Sequence, residues 1–138
     1  MSQEAILVVE DEPQISTVVC AILRRAGYAV SEARGVAEAR EAFALAVVPF
    51  NLIICDVLLP QESAASLVAD VEWLYPGSKV LLMSGLPMDM LEDRGLLSPE
   101  ILAGGRVFYR QKPFSPQELV AEVDRILRME TRLTNAAH

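Results

Sequence analysis

Hydrophobic and polar residues follow one another along this chain in blocks that predict strands alternating with helices. Ala5 to Val9 is a short apolar run closed by Glu10-Asp11-Glu12-Pro13, a strand followed by an acidic loop. Proline suits the first position of a helix, and acids suit its N-terminus. The helix that follows carries Ile15, Val18, Val19, Ile22 and Leu23 as an apolar stripe, with Arg24 and Arg25 at its end and Gly27 just beyond. Tyr28 to Ser31 reads as a short strand. A second helix runs from about Val36 to Val47, burying Val36, Ala39, Phe43 and Val47, and Pro49 stops it. Asn51 to Asp56 holds four consecutive apolar residues ending on a carboxylate, the mark of a strand covered on both faces. A third helix buries Leu67, Val68, Val71 and Leu74 and ends at Pro76-Gly77. Lys79 to Met83 is a fourth strand, closing on Ser84-Gly85. Residues 86–105 show a short helix within Leu86–Gly95 and a second start at Ser98-Pro99-Glu100, cut off by Gly104-Gly105. Arg106 to Arg110 is a fifth strand. Ser115-Pro116-Gln117-Glu118 is a capping box, and Leu119, Val120, Val123, Ile126 and Leu127 form the inner face of the last helix. The pattern predicts an α/β fold: a doubly wound, five-stranded parallel sheet with helices on both faces. Residues 1–130 make one domain, and the polar tail over 131–138 is expected to fray.

Composition narrows the function classes. With 138 residues and 52% hydrophobic content, the chain supports a single packed core. A formal net charge of −7, with basic residues scattered, argues against direct nucleic-acid binding. No apolar stretch is long enough to span a bilayer and no secretory leader is visible, so no membrane partner and a cytoplasmic location are expected. Cys20 and Cys55 sit in apolar surroundings and match no zinc spacing, which reads as two buried thiols.

In a parallel sheet the residues just after each strand share one edge, and in open α/β folds ligands bind there. That edge would gather Glu10, Asp11, Asp56, Ser84 and Lys112. Clustered carboxylates repel unless a cation sits among them, and hard oxygen ligands of this kind suit Mg²⁺. A carboxylate can also accept a phosphoryl group, with a lysine and a hydroxyl to stabilise it. Singly, each residue has a plainer use: Asp56 or Asp11 as a helix cap, Ser84 as a turn residue, Lys112 and Glu10 as surface charges.

The ordered set Val8-Val9-Glu10-Asp11-Glu12, Ile54-Cys55-Asp56-Val57-Leu58-Leu59-Pro60, Met83-Ser84-Gly85 and Lys112-Pro113-Phe114 resembles the receiver domain of two-component response regulators, of the stand-alone chemotaxis-regulator kind. The resemblance covers the chain from the first strand to the last helix and implies a flavodoxin-like sheet of order 2-1-3-4-5. It places Asp56 at the phosphorylated aspartate. Asp11 matches the direct Mg²⁺ ligand, Glu10 its water-mediated neighbour, and the Leu58 carbonyl the third protein ligand. Ser84 and Lys112 match the residues that contact the phosphoryl group, with the Lys112–Pro113 bond expected cis. Tyr109 matches the aromatic switch, although a strand residue there could equally pack at the sheet's edge. Leu58 and Leu86 match the positions that flank the hydrolytic water, and their apolar side chains imply a long-lived phosphoryl group. The implied partners are a histidine kinase or phosphotransfer protein and a downstream protein met through the fourth helix, fifth strand and last helix. Because the chain ends after that helix, output through another protein is expected.

Three departures stand against the family pattern. Glu10 replaces the commoner aspartate, Ala64 stands where a glycine is usual, and the segment between Ser84 and Lys112 is long. They weakly favour a second reading, a phosphorylation-independent pseudo-receiver interaction module. A Mg²⁺-dependent phosphohydrolase is disfavoured because Leu58 occupies the place of its acid/base, so the domain is read as a signalling module rather than an enzyme. A nucleotide-binding protein is disfavoured because no glycine-rich loop follows the first strand.

Overall fold

A computed structural model describes residues 3–129; the tail expected over 131–138 lies outside the described residues. The elements run β1 (Ala5–Val9), α1 (Pro13–Arg25), β2 (Ala29–Ala33), α2 (Val36–Leu45), β3 (Leu52–Asp56), α3 (Ala64–Leu74), β4 (Lys79–Ser84), α4 (Met88–Asp93), α5 (Pro99–Ala103), β5 (Val107–Gln111) and α6 (Pro116–Arg128). All strand pairs are parallel, in the order β2-β1-β3-β4-β5. The expected fold is the one observed.

Strand alternation divides the core in two. Leu7, Val9, Ile53, Cys55, Val80 and Leu82 face α2, α3 and the short helices. Ile6, Val8, Leu52, Ile54, Leu81 and Met83 face α1 and α6. The middle strands β3 and β4 are buried at every residue, whereas the edge strands β2 and β5 are only partly covered. Both cysteines are buried free thiols, as expected. Among the described residues, no helix is long and apolar enough to cross a membrane.

Three predicted core positions are wrong. Val47 lies outside α2, which ends at Leu45 because the backbone at Ala46 turns extended, and it is 99% exposed. Leu74 and Val18 stand on solvent-facing sides of α3 and α1. Val120 and Leu127 are half-buried rather than core. The long stretch between β4 and β5 holds two short helices, each followed by a glycine at positive φ, Gly95 and Gly105; Leu91 and Leu97 anchor it to the core. Ala64 takes no unusual backbone. It opens α3 behind the N-cap Ser63, so the loop after β3 closes without the missing glycine.

The capping box forms as read: Ser115 Oγ accepts from the Glu118 amide at 3.0 Å, and Glu118 Oε1 accepts from the Ser115 amide at 2.8 Å. Ser115→Ala is expected to lower stability by about 1 kcal/mol in urea unfolding, with the slope of the transition unchanged.

Candidate functional site

The loops at the carboxyl ends of β1, β3, β4 and β5 meet at one edge of the sheet. Glu10 leaves β1 and is 2% exposed. Its longer side chain folds back on its own loop, Oε2 accepting from the Glu12 amide at 3.2 Å. Asp56 closes β3 and is also buried; its Oδ1 accepts from the Leu58 amide at 2.9 Å. With half-buried Asp11, these residues can each offer one carboxylate oxygen within 4.8 Å of the others.

Among the described residues, one cation is bonded to this cluster. Lys112 Nζ donates to Asp56 Oδ2 at 3.1 Å and to Glu10 Oε1 at 3.2 Å. Burial works against the ammonium, but Asp56 and Glu10 outweigh it and hold its pKa above the usual lysine value. Glu10 shows the opposite imbalance. Burial, then the Asp56 charge, push its pKa up to about 7, despite the Glu12 amide and Lys112. A single ammonium therefore leaves three crowded carboxylates under-neutralised. That deficit, with hard oxygen donors converging, fits a divalent cation such as Mg²⁺.

Ser84 ends β4, where Met83 pairs in register with Asp56. Its Oγ accepts from the Leu86 amide at 3.0 Å, which leaves the hydroxyl proton available to an incoming oxygen. The Ser84 carbonyl accepts from the Lys112 amide at 2.8 Å, tying β4 to the Lys112–Pro113 peptide, which is cis as expected. Tyr109 is turned inward over this turn. Its hydroxyl donates to the Leu86 carbonyl and lies 3.4 Å from the Ser84 carbonyl. Leu58 is 41% exposed beside the cluster and Leu86 is half-buried.

The residues expected at the strand ends are thus together, with Tyr109 tied to the Ser84 turn. A clamp on the β3–α3 loop was not foreseen. Arg40 on α2 donates to Asp70 at 2.7 Å, Glu62 at 2.8 Å and Ser66 at 3.0 Å. It pins the loop that carries Leu58 to two helices. Pairs 22 to 30 residues apart, from a helix to a loop and to the next helix, leave no periodic mark in a sequence; the one available signal was a basic residue on α2 facing an acid-bearing loop.

A family model described as response regulator receiver domain matches residues 6–124. The protein PetR of Rhodobacter capsulatus is 33% identical over 125 residues, which cover 89% of this chain and 48% of PetR. The chain spans about half the length, or less, of the curated relatives it matches. Among solved structures, the chemotaxis response regulator CheY4 of Vibrio cholerae aligns with a TM-score of 0.76 at 25% identity, over 91% of this chain and 99% of that one. A CheY-like receiver domain protein of Methanospirillum hungatei also aligns at 0.76, with 28% identity, over 91% and 94%.

Proposed function

The chain belongs to the response regulator receiver family, and on that premise we propose that it accepts a phosphoryl group on Asp56 from a histidine kinase or phosphotransfer protein and, so modified, changes the surface it offers a downstream protein. The observation that carries this reading is the Asp56 carboxylate, held between the Leu58 amide and the Lys112 ammonium inside a three-acid cluster.

In the transfer, an Asp56 oxygen forms a bond to phosphorus while the P–N bond of a phosphohistidine breaks. The imidazole keeps the bonding electron pair and takes up a proton. Glu10, Asp11, Asp56 and the Leu58 carbonyl are the groups that would hold Mg²⁺, which when bound neutralises charge on the transferring group. Lys112 turns from Asp56 to a phosphoryl oxygen, and the Ser84 hydroxyl donates to another. Drawing Ser84 inward moves the turn whose carbonyls hold the Tyr109 hydroxyl, so the site is coupled to β5 and the helices beside it. The downstream partner meets that face, formed here by α4, α5, β5 and α6. Only its own phosphoryl group is turned over, which makes the domain a switch and not an enzyme acting on other substrates.

The test is intact mass after incubation with acetyl phosphate and Mg²⁺. One added phosphoryl group, absent when the metal is chelated, is the expected result. No gain in a folded chain, with none from phosphohistidine donors either, would leave the interaction-module reading.

The side chains of Leu58 and Leu86 have no polar atom with which to orient a water at the acyl phosphate. Replacing both with asparagine is expected to shorten the phosphoryl half-life several-fold, followed by mass after donor removal. An unchanged half-life would detach lifetime from these two positions.

A further inference from the structure

Five of the nine large apolar side chains left exposed among the described residues gather at the opposite end of the molecule from the acid cluster. They are Leu45 (83% exposed), Val47 (99%), Val48 (64%), Trp73 (85%) and Leu74 (55%). They occupy the last turn of α2, the segment after it, and the last turn of α3, at the edge where the strands begin. The two helix ends are clamped together. The Tyr75 hydroxyl donates to the Phe43 carbonyl at 3.2 Å, and the two rings meet edge to face at 5.3 Å. The apolar side chains therefore stand on a rigid base. Beside Leu74, the residue after Trp73, lies an open cleft of about 570 Å³, lined among others by Ala5, Val48, Phe50 and Pro76.

We propose that this patch is the interface of a homodimer, in which Trp73 of each copy seats in the cleft of the other. Charge selects the occupant. Residues 42–55 and 73–78 carry no charged side chain in a chain of net charge −7. A basic or acidic partner finds nothing to pair with there, whereas a second copy brings a surface equally free of charge. The projecting tryptophan and the receiving cleft lie on one patch, so pairing closes as a two-fold dimer instead of growing into a filament. It also keeps the two acid clusters at the far ends of the assembly, away from each other's field. The area suffices. A standard interface takes about 800 Å² from each copy, about a tenth of the 7921 Å² exposed here. A tryptophan alone supplies about 150–250 Å², with four aliphatic side chains around it. Contiguous apolar patches larger than a few hundred Å² mark contact surfaces.

Trp73 is the chain's single tryptophan, so the interface carries its own reporter. Light scattering on the 138-residue chain, from micromolar to millimolar, is expected to show the mass doubling. Trp73 emission should move to shorter wavelength over the same range. Val47→Asp, at a fully exposed position, is expected to keep wild-type thermal stability, remain monomeric and leave Trp73 emitting as in water. The proposal is overturned by a monomer with water-like emission throughout, or by a dimer that Val47→Asp leaves intact. It is also overturned if the emission shift occurs only with neutral phosphatidylcholine vesicles, which would make the patch a membrane contact. Asp56→Asn is expected to dimerise like the wild type, so this surface and the phosphoryl-acceptor reading stand or fall separately.

Discussion

Asp56→Asn is expected to reduce phosphoryl acceptance below detection by intact mass while leaving the fold in place. Asparagine has the same shape, and its amide oxygen can still accept from the Leu58 amide that now holds Oδ1 at 2.9 Å. It lacks the second carboxylate oxygen. Its NH₂ group would face Lys112 Nζ, donor against donor, so the ammonium should swing wholly to Glu10. The amide oxygen is a poor nucleophile for phosphorus, and the acid cluster drops by one charge, which weakens metal binding too. Two readouts follow from one substitution. The phosphoryl gain should disappear, and the rise in melting temperature expected of the wild type in millimolar Mg²⁺ should shrink. Circular dichroism unchanged from wild type shows that neither loss comes from unfolding. A mass gain that persists in this variant would place the acceptor on another carboxylate, with Glu10 and Asp11 next to be mapped.

Glu10→Gln is expected to stabilise the metal-free domain above neutral pH and to flatten its pH dependence. The folded pKa of Glu10 is raised from 4.5 to about 7, so between those values the folded state keeps a proton that the unfolded chain has released. Stability then falls as pH rises through that window and levels off above it. The size is that of a buried carboxylate lacking full compensation, on the order of 1–3 kcal/mol. Glutamine is neutral at every pH and fills the same volume. Urea unfolding in chelator from pH 4.5 to 8 should show the wild type declining and the variant nearly level. With Mg²⁺ the order should narrow or reverse, because the carboxylate that costs stability in the empty site is one that the cation would use. Parallel pH profiles for the two proteins in chelator would remove Glu10 as the source of the strain.

The acid cluster was legible because parallel strands bring their carboxyl ends to one edge whatever the helices do. Glu10, Asp56 and Ser84 each close an apolar run that reads as a strand, and Lys112 stands just beyond the fifth strand. Residue types at strand ends therefore translate directly into a site. Tyr109 was legible as a residue but not as a direction. Its side chain points inward because carbonyls at Ser84 and Leu86 accept its hydroxyl, and the path of that turn is not written in strand periodicity. Val47 failed for a related reason. Helical spacing continued past Phe43, but the backbone left the helix at Ala46, before a proline that marked only the outer limit. Leu74 and Val18 show that a helix resting on a sheet buries a narrower stripe than its apolar residues suggest.

The bond between Lys112 and Glu10 joins residues 102 positions apart. During synthesis the acids of β1 and β3 leave the ribosome well before the lysine that balances them. A nascent or C-terminally clipped chain can present Asp56, but not Asp56 in its ion pair. The paired site comes into being only when β5 docks against β4, so the ion pair marks a finished sheet. Fragments that end before β5 therefore hold the acids without the ammonium that pairs with them.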